Sequence, residues 1–491
     1  MSRTNNLSPP LLLIATALGV SVLMVLWPTL PTQAQSENAD NDNVDPQRTN
    51  EHLVTFSDEG PSEDHAKQIT DLGGTVVTSY DQIGVAVVSG LTDASAEDLN
   101  SSEGVQSVDR DMKRKWLDPR EKDTAEEAFA EEGTAAEVEQ ESPNKDPQTA
   151  DRYPRQWHLR AIKADQAWAA GKLGSSNVRV AILDTGIDYT HPDLADRVDL
   201  GLSKSFVPAE NAVVQTNFPG AHEIADLQYH GTHVAATVSS NAHAAAGVTS
   251  KVKLMGVKVL DRNGDGTDSG VLAGILHAAD NGADVINMSL GSNFSKSEAG
   301  NRGVVATYNR ALSYAYKKGT TIVVSAGNSG DKLNDGSNLY KAFCESPHVV
   351  CVSATGPTNN SLVEPWTNID ALASYSNYGS PITVAAPGGN ASRVWAACSR
   401  FSLAQPVCQT GTFVLGMNGT SMAAPHASGL AALLVGQDQI SKGHPSQVAS
   451  KLRNSADDLG ASGKDEIYGH GRINVAKALG LKGANTKPSG K

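Results

Sequence analysis

The chain has 491 residues, of which 39% are hydrophobic, and its formal net charge is −14 at neutral pH. This length allows two to four domains with substantial cores. The negative charge disfavours a polyanionic partner such as nucleic acid. Part of the charge lies in one run, residues 121–141, which holds nine acidic side chains and one lysine. We interpret this run as a solvated linker.

The N-terminus has the layout of an export signal. Arg3 precedes an apolar stretch at residues 11–27, and two small residues, Thr32 and Ala34, follow where a signal peptidase would be expected to cut. This pattern predicts a secretory signal peptide over residues 1–34, and therefore a secreted or periplasmic protein. Because a predominantly apolar run of 17 residues is close to the lower limit for a spanning helix, a retained membrane anchor stays open as an alternative. No second stretch of that kind follows, so we expect no membrane contact after signal removal.

After the predicted signal peptide, the sequence changes at residue 52 from a polar segment to alternating strand and helix patterns. Residues 35–51 are polar and are expected to be disordered. In residues 52–110, short runs rich in β-branched residues alternate with helical stretches in the order βαββαβ, at 52–56, 62–72, 75–79, 84–88, 94–100 and 105–108. This order predicts a small ferredoxin-like α+β domain. The fold alone indicates no function, since many binding modules share it.

An acidic linker is expected over residues 111–152, a main domain over residues 153–481 and a flexible tail over residues 482–491. The main domain alternates helical stretches with apolar runs at 178–183, 252–259, 285–288, 321–325 and 349–353. Short buried strands separated by helices predict an α/β fold, with a mainly parallel sheet covered by helices on both faces. Sites in such sheets collect beyond the carboxyl ends of the strands, where we expect Asp184, Ser289 and Asn328.

The four cysteines fit an exported protein. Their separations suggest two local disulfides, Cys344 with Cys351 and Cys398 with Cys408, although four cysteines allow three sets of pairings. A zinc site is the alternative, but the chain lacks the closely spaced Cys-x-x-Cys pairs that such sites use.

Three short motifs carry chemistry, because each places an Asp, a His or a Ser beside small residues. In chain order they are Val180-Ala-Ile-Leu-Asp184-Thr-Gly, His230-Gly-Thr-His233-Val-Ala and Gly419-Thr-Ser421-Met-Ala-Ala-Pro-His426. Acyl transfer needs a hydroxyl nucleophile, an imidazole base and a carboxylate that orients the imidazole. A metal pair of His230 and His233 is the weaker alternative, because their spacing is not that of His-Glu-x-x-His. Together the motifs resemble the subtilisin family of serine peptidases, over roughly residues 156–479.

The resemblance implies a role for each motif residue. Ser421, expected at a helix start, would be the nucleophile, His230 the general base and Asp184 the carboxylate that orients it. Asn328 would donate a hydrogen bond to the oxyanion, together with the backbone N–H of Ser421. His233, one turn further along its helix, would be a hydrogen-bonded core residue.

The resemblance also marks two backbone segments that would hold a peptide substrate as an added strand. These segments are Ser289-Leu290-Gly291 and Gly264-Asp265-Gly266. Near the second segment the family often has an aromatic or bulky side chain, whereas this chain has Asp268. This difference puts a large apolar outer subsite in doubt and points to tolerance of a basic side chain.

The chemistry itself requires no cofactor, but a structural calcium ion has to be considered. The stretch that starts at Asp261 begins like an EF-hand loop, yet Leu272 stands where that loop needs a bidentate Glu, so we reject this interpretation. Asp193 and Asn241 correspond to two calcium ligands of the family. Because the loop after Asn241 is shortened and rich in alanine, the calcium site stays open at this point.

Between an export signal and a peptidase domain, residues 52–110 resemble the inhibitory prodomain of the family. We therefore expect a secreted, monomeric serine endopeptidase made as an autoprocessed zymogen. Its partners would be protein or peptide substrates and its own prodomain. The alternatives are an unrelated accessory domain at residues 52–110, a narrow processing peptidase, a pseudopeptidase that only binds peptides, and a calcium-binding module that depends on the rejected loop.

Overall fold

The computed structural model describes residues 48–57, 60–117, 131–133, 146–437 and 439–481. The signal peptide expected at residues 1–34, most of the acidic linker and the tail at residues 482–491 lie outside these residues. Within the described ranges, no helix is long and apolar enough to cross a membrane.

The N-terminal domain is a four-stranded antiparallel sheet with two helices. Its elements are the strands Arg48–Phe56, Thr75–Tyr80, Val85–Ser89 and Val105–Lys115 and the helices Glu63–Asp71 and Asp93–Asn100. Side by side, the strands lie in the order second, third, first, fourth. Val54, Phe56, Ile69, Val88 and Leu99 form a core between sheet and helices. The expected small α+β domain is thereby confirmed.

Two strands of this domain are longer than the sequence predicts. The first begins at Arg48, so residues 48–51, expected to be disordered, are paired with neighbouring strands. The last runs to Lys115, five residues into the expected linker, and pairs with Asp265–Thr267 of the main domain. Its charged sequence hid this extension, because the strand is stabilised by neighbours on both sides and not by an alternating apolar pattern. Glu131–Gly133, also in the expected linker, forms a strand against residues 412–414.

The main domain is built on a seven-stranded parallel sheet. In spatial order its strands are Val384–Pro387, Val349–Thr355, Thr321–Ser325, Val285–Met288, Arg179–Asp184, Lys253–Lys258 and Lys204–Ser205. Side chains alternate between the two faces, so Ile182 and Val323 join one buried cluster while Leu183 and Val324 join another. Because the strands are buried on both faces, they read as continuous apolar runs. The expected fold class is confirmed.

Helices surround this sheet, and short strand pairs border it. The helices are Trp157–Ala161, Ala164–Ala169, Pro208–Asn217, His230–Val238, Asp268–Asp280, Ala299–Lys317, Thr420–Gly436, Pro445–Ser455 and Val475–Ala478. The short pairs are Asn293–Ser295 with Leu339–Lys341, Lys332–Leu333 with Tyr378–Gly379, and Val394–Ala397 with Thr412–Met417. We call His230–Val238 the histidine helix and Thr420–Gly436 the serine helix.

The cysteines form the two local disulfides that their separations suggested. Cys344 is bonded to Cys351 and Cys398 to Cys408, with Cα–Cα distances of 5.1 and 6.0 Å. All four sulfurs are used in these bonds, so the zinc alternative is wrong.

Candidate active site

The motif residues meet at one edge of the parallel sheet. Asp184 is the last residue of its strand, and Ser289 directly follows Val285–Met288. Asn328 lies three residues beyond Thr321–Ser325, the next strand along the sheet. Because parallel strands end at the same edge, their following residues are brought together there, as the sequence predicts.

The histidine helix brings an imidazole to the Asp184 carboxylate. His230 Nδ1 lies 2.7 Å from Asp184 Oδ1, and both side chains are buried. The same oxygen accepts the backbone N–H of Thr185 at 2.8 Å. A carboxylate at this distance holds the proton of a neutral imidazole on Nδ1, which makes Nε2 the basic nitrogen. A methyl group at Gly231 would collide with the backbone oxygen of Gly186, so the contact requires a small residue there.

Asp226 ties the start of the histidine helix to the Asp184 strand, a role that the sequence analysis missed. Its Oδ2 accepts the backbone N–H and the hydroxyl of Thr232, at 3.0 and 2.7 Å. Its Oδ1 accepts the hydroxyl of Thr185 at 2.9 Å. Burial raises the pKa of Asp226, while hydrogen bonds from Thr232 act in the opposite direction. An acidic residue just ahead of a helix start is the signal that could have indicated it.

Ser421 is the second residue of the serine helix, which packs against the histidine helix. The Ser421 side chain is nearly buried, and its Oγ lies 3.2 Å from the backbone oxygen of Ser289. The Ser289 hydroxyl in turn donates to the backbone oxygen of Ser421 at 2.8 Å. The helix start is thus fixed directly against one of the two expected substrate-binding segments.

Asn328 lies on the other side of the serine helix start. Its Oδ1 accepts both the backbone N–H and the hydroxyl of Thr420, each at 2.8 Å. These contacts fix the orientation of the amide and turn its donor end, Nδ2, away from Thr420. Asn328 and Ser421 line the same cavity, of about 350 Å³.

Three other histidines are buried behind this site. His233 Nε2 lies 3.1 Å from the backbone oxygens of Val394 and Leu415, and burial lowers its pKa to about 3. His158 Nδ1 and His426 Nε2 are 2.8 Å apart, a pair that the sequence did not indicate. Burial lowers the pKa of both. His233 is a core residue as expected, and among described residues no group of three or more His, Cys, Asp or Glu side chains could hold a metal.

The possible calcium ligands do not form a cation site. Asp193 Oδ1 accepts the backbone N–H groups of His243 and Ala244, at 2.7 and 2.9 Å, and Oδ2 accepts that of Ala245 at 3.0 Å. The Asn241 amide donates to the backbone oxygens of residues 192 and 195. The shortened alanine-rich loop therefore directs N–H donors to the carboxylate where a cation would lie, so Asp193 and Asn241 do not fit calcium.

The two expected substrate-binding segments hold a strand of this same chain, residues 113–117, which we call the cleft strand. Gly264 accepts the backbone N–H groups of Trp116 and Leu117, at 3.0 and 3.2 Å. Gly291 donates to the backbone oxygen of Trp116 at 2.9 Å from the other side. The cleft strand thus lies between the segments as an added antiparallel strand.

Beside Asp268, where the sequence puts a large apolar outer subsite in doubt, the structure has a buried cluster of aromatic side chains. Trp116 is 1% exposed and lies in an aromatic cluster. Its ring stacks on Phe343 at a centroid distance of 5.6 Å, lies edge-on to Tyr308 at 5.8 Å and is tilted against Phe294 at 6.0 Å. Phe294, Tyr308 and Phe343 are separated in the sequence, so no short motif predicts this aromatic cluster. Asp268 lies beside it and binds Arg114.

Known proteins share this arrangement of sequence and fold. The family model described as the subtilase family matches residues 175–471. A thermophilic serine proteinase of Bacillus sp. (strain AK1) is 34% identical over 318 residues, which are 64% of this chain and 64% of that protein. Thermitase of Thermoactinomyces vulgaris is 34% identical over 328 residues, 66% of this chain and 96% of that protein.

Solved structures agree with these matches. A lanthipeptide protease has a TM-score of 0.54 at 26% identity, covering 67% of this chain and 94% of that one. Fervidolysin from Fervidobacterium pennivorans, a keratinolytic enzyme, has a TM-score of 0.64 over 91% of this chain and 62% of that one; at 24% identity it supports the fold alone. The match over residues 175–471 covers more than half of the chain, which therefore belongs to the subtilase family of serine peptidases.

Proposed function

We propose that the chain is an exported serine endopeptidase that hydrolyses peptide bonds through an acyl-enzyme on Ser421. The observation that carries the proposal is the 2.7 Å contact between His230 Nδ1 and Asp184 Oδ1, at the sheet edge where the serine helix begins. A buried carboxylate, an oriented imidazole and a serine on a neighbouring helix start are the parts that acyl transfer requires.

In the proposed reaction, Ser421 Oγ attacks the carbonyl carbon of the scissile bond while His230 Nε2 takes the hydroxyl proton. The imidazolium then gives this proton to the leaving amine, and the C–N bond breaks. Asp184 stabilises the imidazolium through the Nδ1–H contact and stays ionised. A water molecule, activated by the same imidazole, hydrolyses the acyl-enzyme and releases Ser421.

The oxyanion of each tetrahedral intermediate would be held by two donors. One is the backbone N–H of Ser421, because the N–H groups in the first turn of a helix favour a negative charge placed there. The other is Nδ2 of Asn328, whose orientation follows from the two hydrogen bonds that its Oδ1 accepts from Thr420. Donors that are fixed before the reaction stabilise the developing charge without reorganisation.

We also propose that the N-terminal domain is an inhibitory prodomain, which makes the full chain a zymogen. The cleft strand supports this role, because it occupies the place of an added substrate strand. A second contact supports it: the Asp111 carboxylate accepts the backbone N–H and the hydroxyl of Ser269, each at 2.8 Å, at the start of the Asp268–Asp280 helix. Autoprocessing would then cut the chain between the cleft strand and the main domain.

Hydrolysis of casein by the purified protein, with and without a serine-reactive sulfonyl fluoride, tests the proposed activity. We expect cleavage that the reagent abolishes. A folded protein that binds casein-derived peptides but releases no fragments would support the pseudopeptidase alternative and contradict the proposal.

A further inference from the structure

We propose that the substrate cleft contains a pocket specific for arginine, so that the enzyme selects peptides with an arginine two residues before an aromatic residue on the amino-terminal side of the cleaved bond. The inference rests on the proposed peptidase function and specifies its substrates. It starts from the side chains of the cleft strand, Lys113-Arg114-Lys115-Trp116-Leu117, three of which are cationic.

The cleft strand is bound as a substrate would be. Its residues 113–115 pair in antiparallel register with Thr267, Gly266 and Asp265, and Trp116 is hydrogen-bonded from both flanking segments. Since the backbone of an added strand determines where its side chains point, a peptide in this cleft places its side chains in the same pockets. The environment of Arg114 therefore describes a subsite and not only a contact between domains.

The pocket around Arg114 matches a guanidinium group on three sides. Its Nε lies 2.9 Å from both carboxylate oxygens of Asp268, and its Nη2 donates to Asn301 Oδ1 at 2.9 Å. The guanidinium carbon is 4.4 Å from the ring centre of Phe294. A planar fork of N–H donors that also stacks on a ring suits arginine, whereas lysine offers one compact ammonium group.

Burial makes this pocket selective. The Asp268 side chain is fully buried, and burial raises its pKa to about 6 even though Arg114 acts in the opposite direction. A neutral side chain in the subsite would leave this carboxylate buried without its cationic partner, which is strongly unfavourable. Discrimination is strongest where a missing partner leaves a buried polar group unpaired.

Two flanking ion pairs extend the preference for basic residues but are weaker. Lys113 Nζ lies 2.8 Å from Asp261 Oδ2, and Lys115 Nζ lies 2.8 Å from Asp265 Oδ1. Both lysine side chains are 44% exposed, so solvent screens these pairs. We therefore assign the specificity to Asp268, with Asp261 and Asp265 adding a general preference for positive charge.

Cleavage-site profiling of a proteome-derived peptide library tests the proposal, because such a library presents every residue type at the cleaved bond. The full chain is purified and allowed to autoprocess until it cleaves casein, this active protein is incubated with the library, and the cleavage sites are identified by mass spectrometry. We expect arginine to be enriched at one upstream position and aromatic residues two positions later. In the best-cleaved peptide, replacing that arginine with glutamine should lower kcat/KM about 10- to 100-fold, and lysine should give an intermediate loss.

The variant Asp268→Asn should lose the arginine enrichment and keep the aromatic one. Its kcat/KM should fall on the arginine peptide and rise on the glutamine peptide, because the buried carboxylate that glutamine leaves without a cationic partner is gone. Asp458→Asn, at an exposed aspartate on a C-terminal loop, is the matched control and should retain both preferences.

The outcomes separate this proposal from the proposed function. Efficient cleavage of many peptides without upstream arginine enrichment would overturn the arginine pocket and leave the peptidase intact. Absence of any cleavage, of casein and of library peptides alike, would overturn the proposed function itself. If Asp268→Asn does not fold, the comparison of arginine, lysine and glutamine peptides on the unmodified protein still decides the question.

Discussion

The main domain contributes the proposed reactive side chains to the cleft, whereas the N-terminal domain contributes a strand that fills it. In the main domain, Asp184, Asn328 and Ser421 are positioned by the ends of parallel strands and by a helix start. The N-terminal domain instead extends its last strand into the cleft, where residues 113–115 complete the ladder with Asp265–Thr267.

This difference indicates how far each part of the cleft tolerates amino-acid substitution. The proposed reactive groups depend on close backbone contacts, such as that between Gly231 and Gly186, and tolerate little substitution. The cleft strand depends on backbone hydrogen bonds that any sequence can make, so its selectivity comes from pockets such as those of Trp116 and Arg114.

The two histidines of the histidine helix should have separate roles. His230→Ala should lower casein hydrolysis by at least about a thousandfold, because the hydroxyl of Ser421 loses its base. His233→Ala should retain much of its activity per folded molecule but unfold at a lower temperature. Initial rates at matched folded concentration, together with thermal unfolding, check this. Equal residual activity of the two variants would contradict the assignment of the base.

Asn328→Ala should lower kcat by on the order of 10²–10³ with a small change in KM, the magnitude known for this oxyanion donor in subtilisin. The reason is that a donor acting on the developing charge affects the transition state more than the bound substrate. Steady-state kinetics on one peptide measures both constants. An unchanged kcat in a folded variant would remove Asn328 from the proposed oxyanion site.

The N-terminal domain added in trans should inhibit the active protein, and the inhibition should depend on the cleft strand. A fragment of residues 48–117 should inhibit at least about tenfold more strongly than one of residues 48–112, because the shorter one keeps Asp111 but lacks the ladder and Trp116. Dose-dependent initial rates measure this, and circular dichroism verifies that both fragments fold. Equal inhibition by both would show that the cleft strand is not the inhibitory element.

The buried histidines predict how stability depends on pH. The folded-state pKa of His233 is about 3, below the value near 6.5 of an unfolded chain. The unfolded state therefore binds one more proton as pH falls below about 6.5, and stability is lost in that direction. In His233→Asn, the unfolded state no longer has the imidazole that binds this extra proton. Its stability deficit relative to the unmodified protein should shrink by about 1.4 kcal/mol per pH unit below 6.5, in denaturant unfolding curves. A deficit that is constant with pH would contradict a neutral His233.

A substitution at Asp193, whose carboxylate binds the loop at residues 243–245, should have the smallest effect on stability. Asp193→Asn should lower the free energy of unfolding by about 1–3 kcal/mol, because the N–H groups of residues 243–245 lose a charged acceptor. Since that carboxylate is bound by amides, a calcium chelator should not shift the unfolding temperature through this loop. The variant and the unmodified protein are compared with and without chelator. If the chelator lowers the unfolding temperature of the unmodified protein but not that of Asp193→Asn, a cation binds to this carboxylate and the interpretation is contradicted.

Local patterns were sufficient to predict the parallel sheet and the proposed reactive residues. Asp184 and Asn328 follow apolar runs, and Ser421 precedes a long apolar helix, so each is tied to an element that the sequence reveals. The disulfides followed from the spacing of the cysteines.

The missed features depend on contacts between distant parts of the chain. Residues 113–115 of the cleft strand are all charged, and their partners lie about 150 residues away, so no local pattern marks them as a strand. Phe294, Tyr308 and Phe343 meet only in the folded chain, so the aromatic cluster around Trp116 has no signal in the sequence, where Asp268 alone suggests a polar surrounding. The amide contacts of Asp193 arise from the backbone of a loop and carry no side-chain signature.

Covalent labelling tests the central claim most directly. The casein-cleaving protein is treated with a fluorophosphonate, and the modified residue is identified by mass spectrometry of its peptides. We predict one adduct, on Ser421, that is absent from Ser421→Ala and retained in Ser289→Ala, whose lost hydroxyl lies next to the nucleophile. An adduct on another residue, or an active protein without any adduct, would contradict the proposed mechanism.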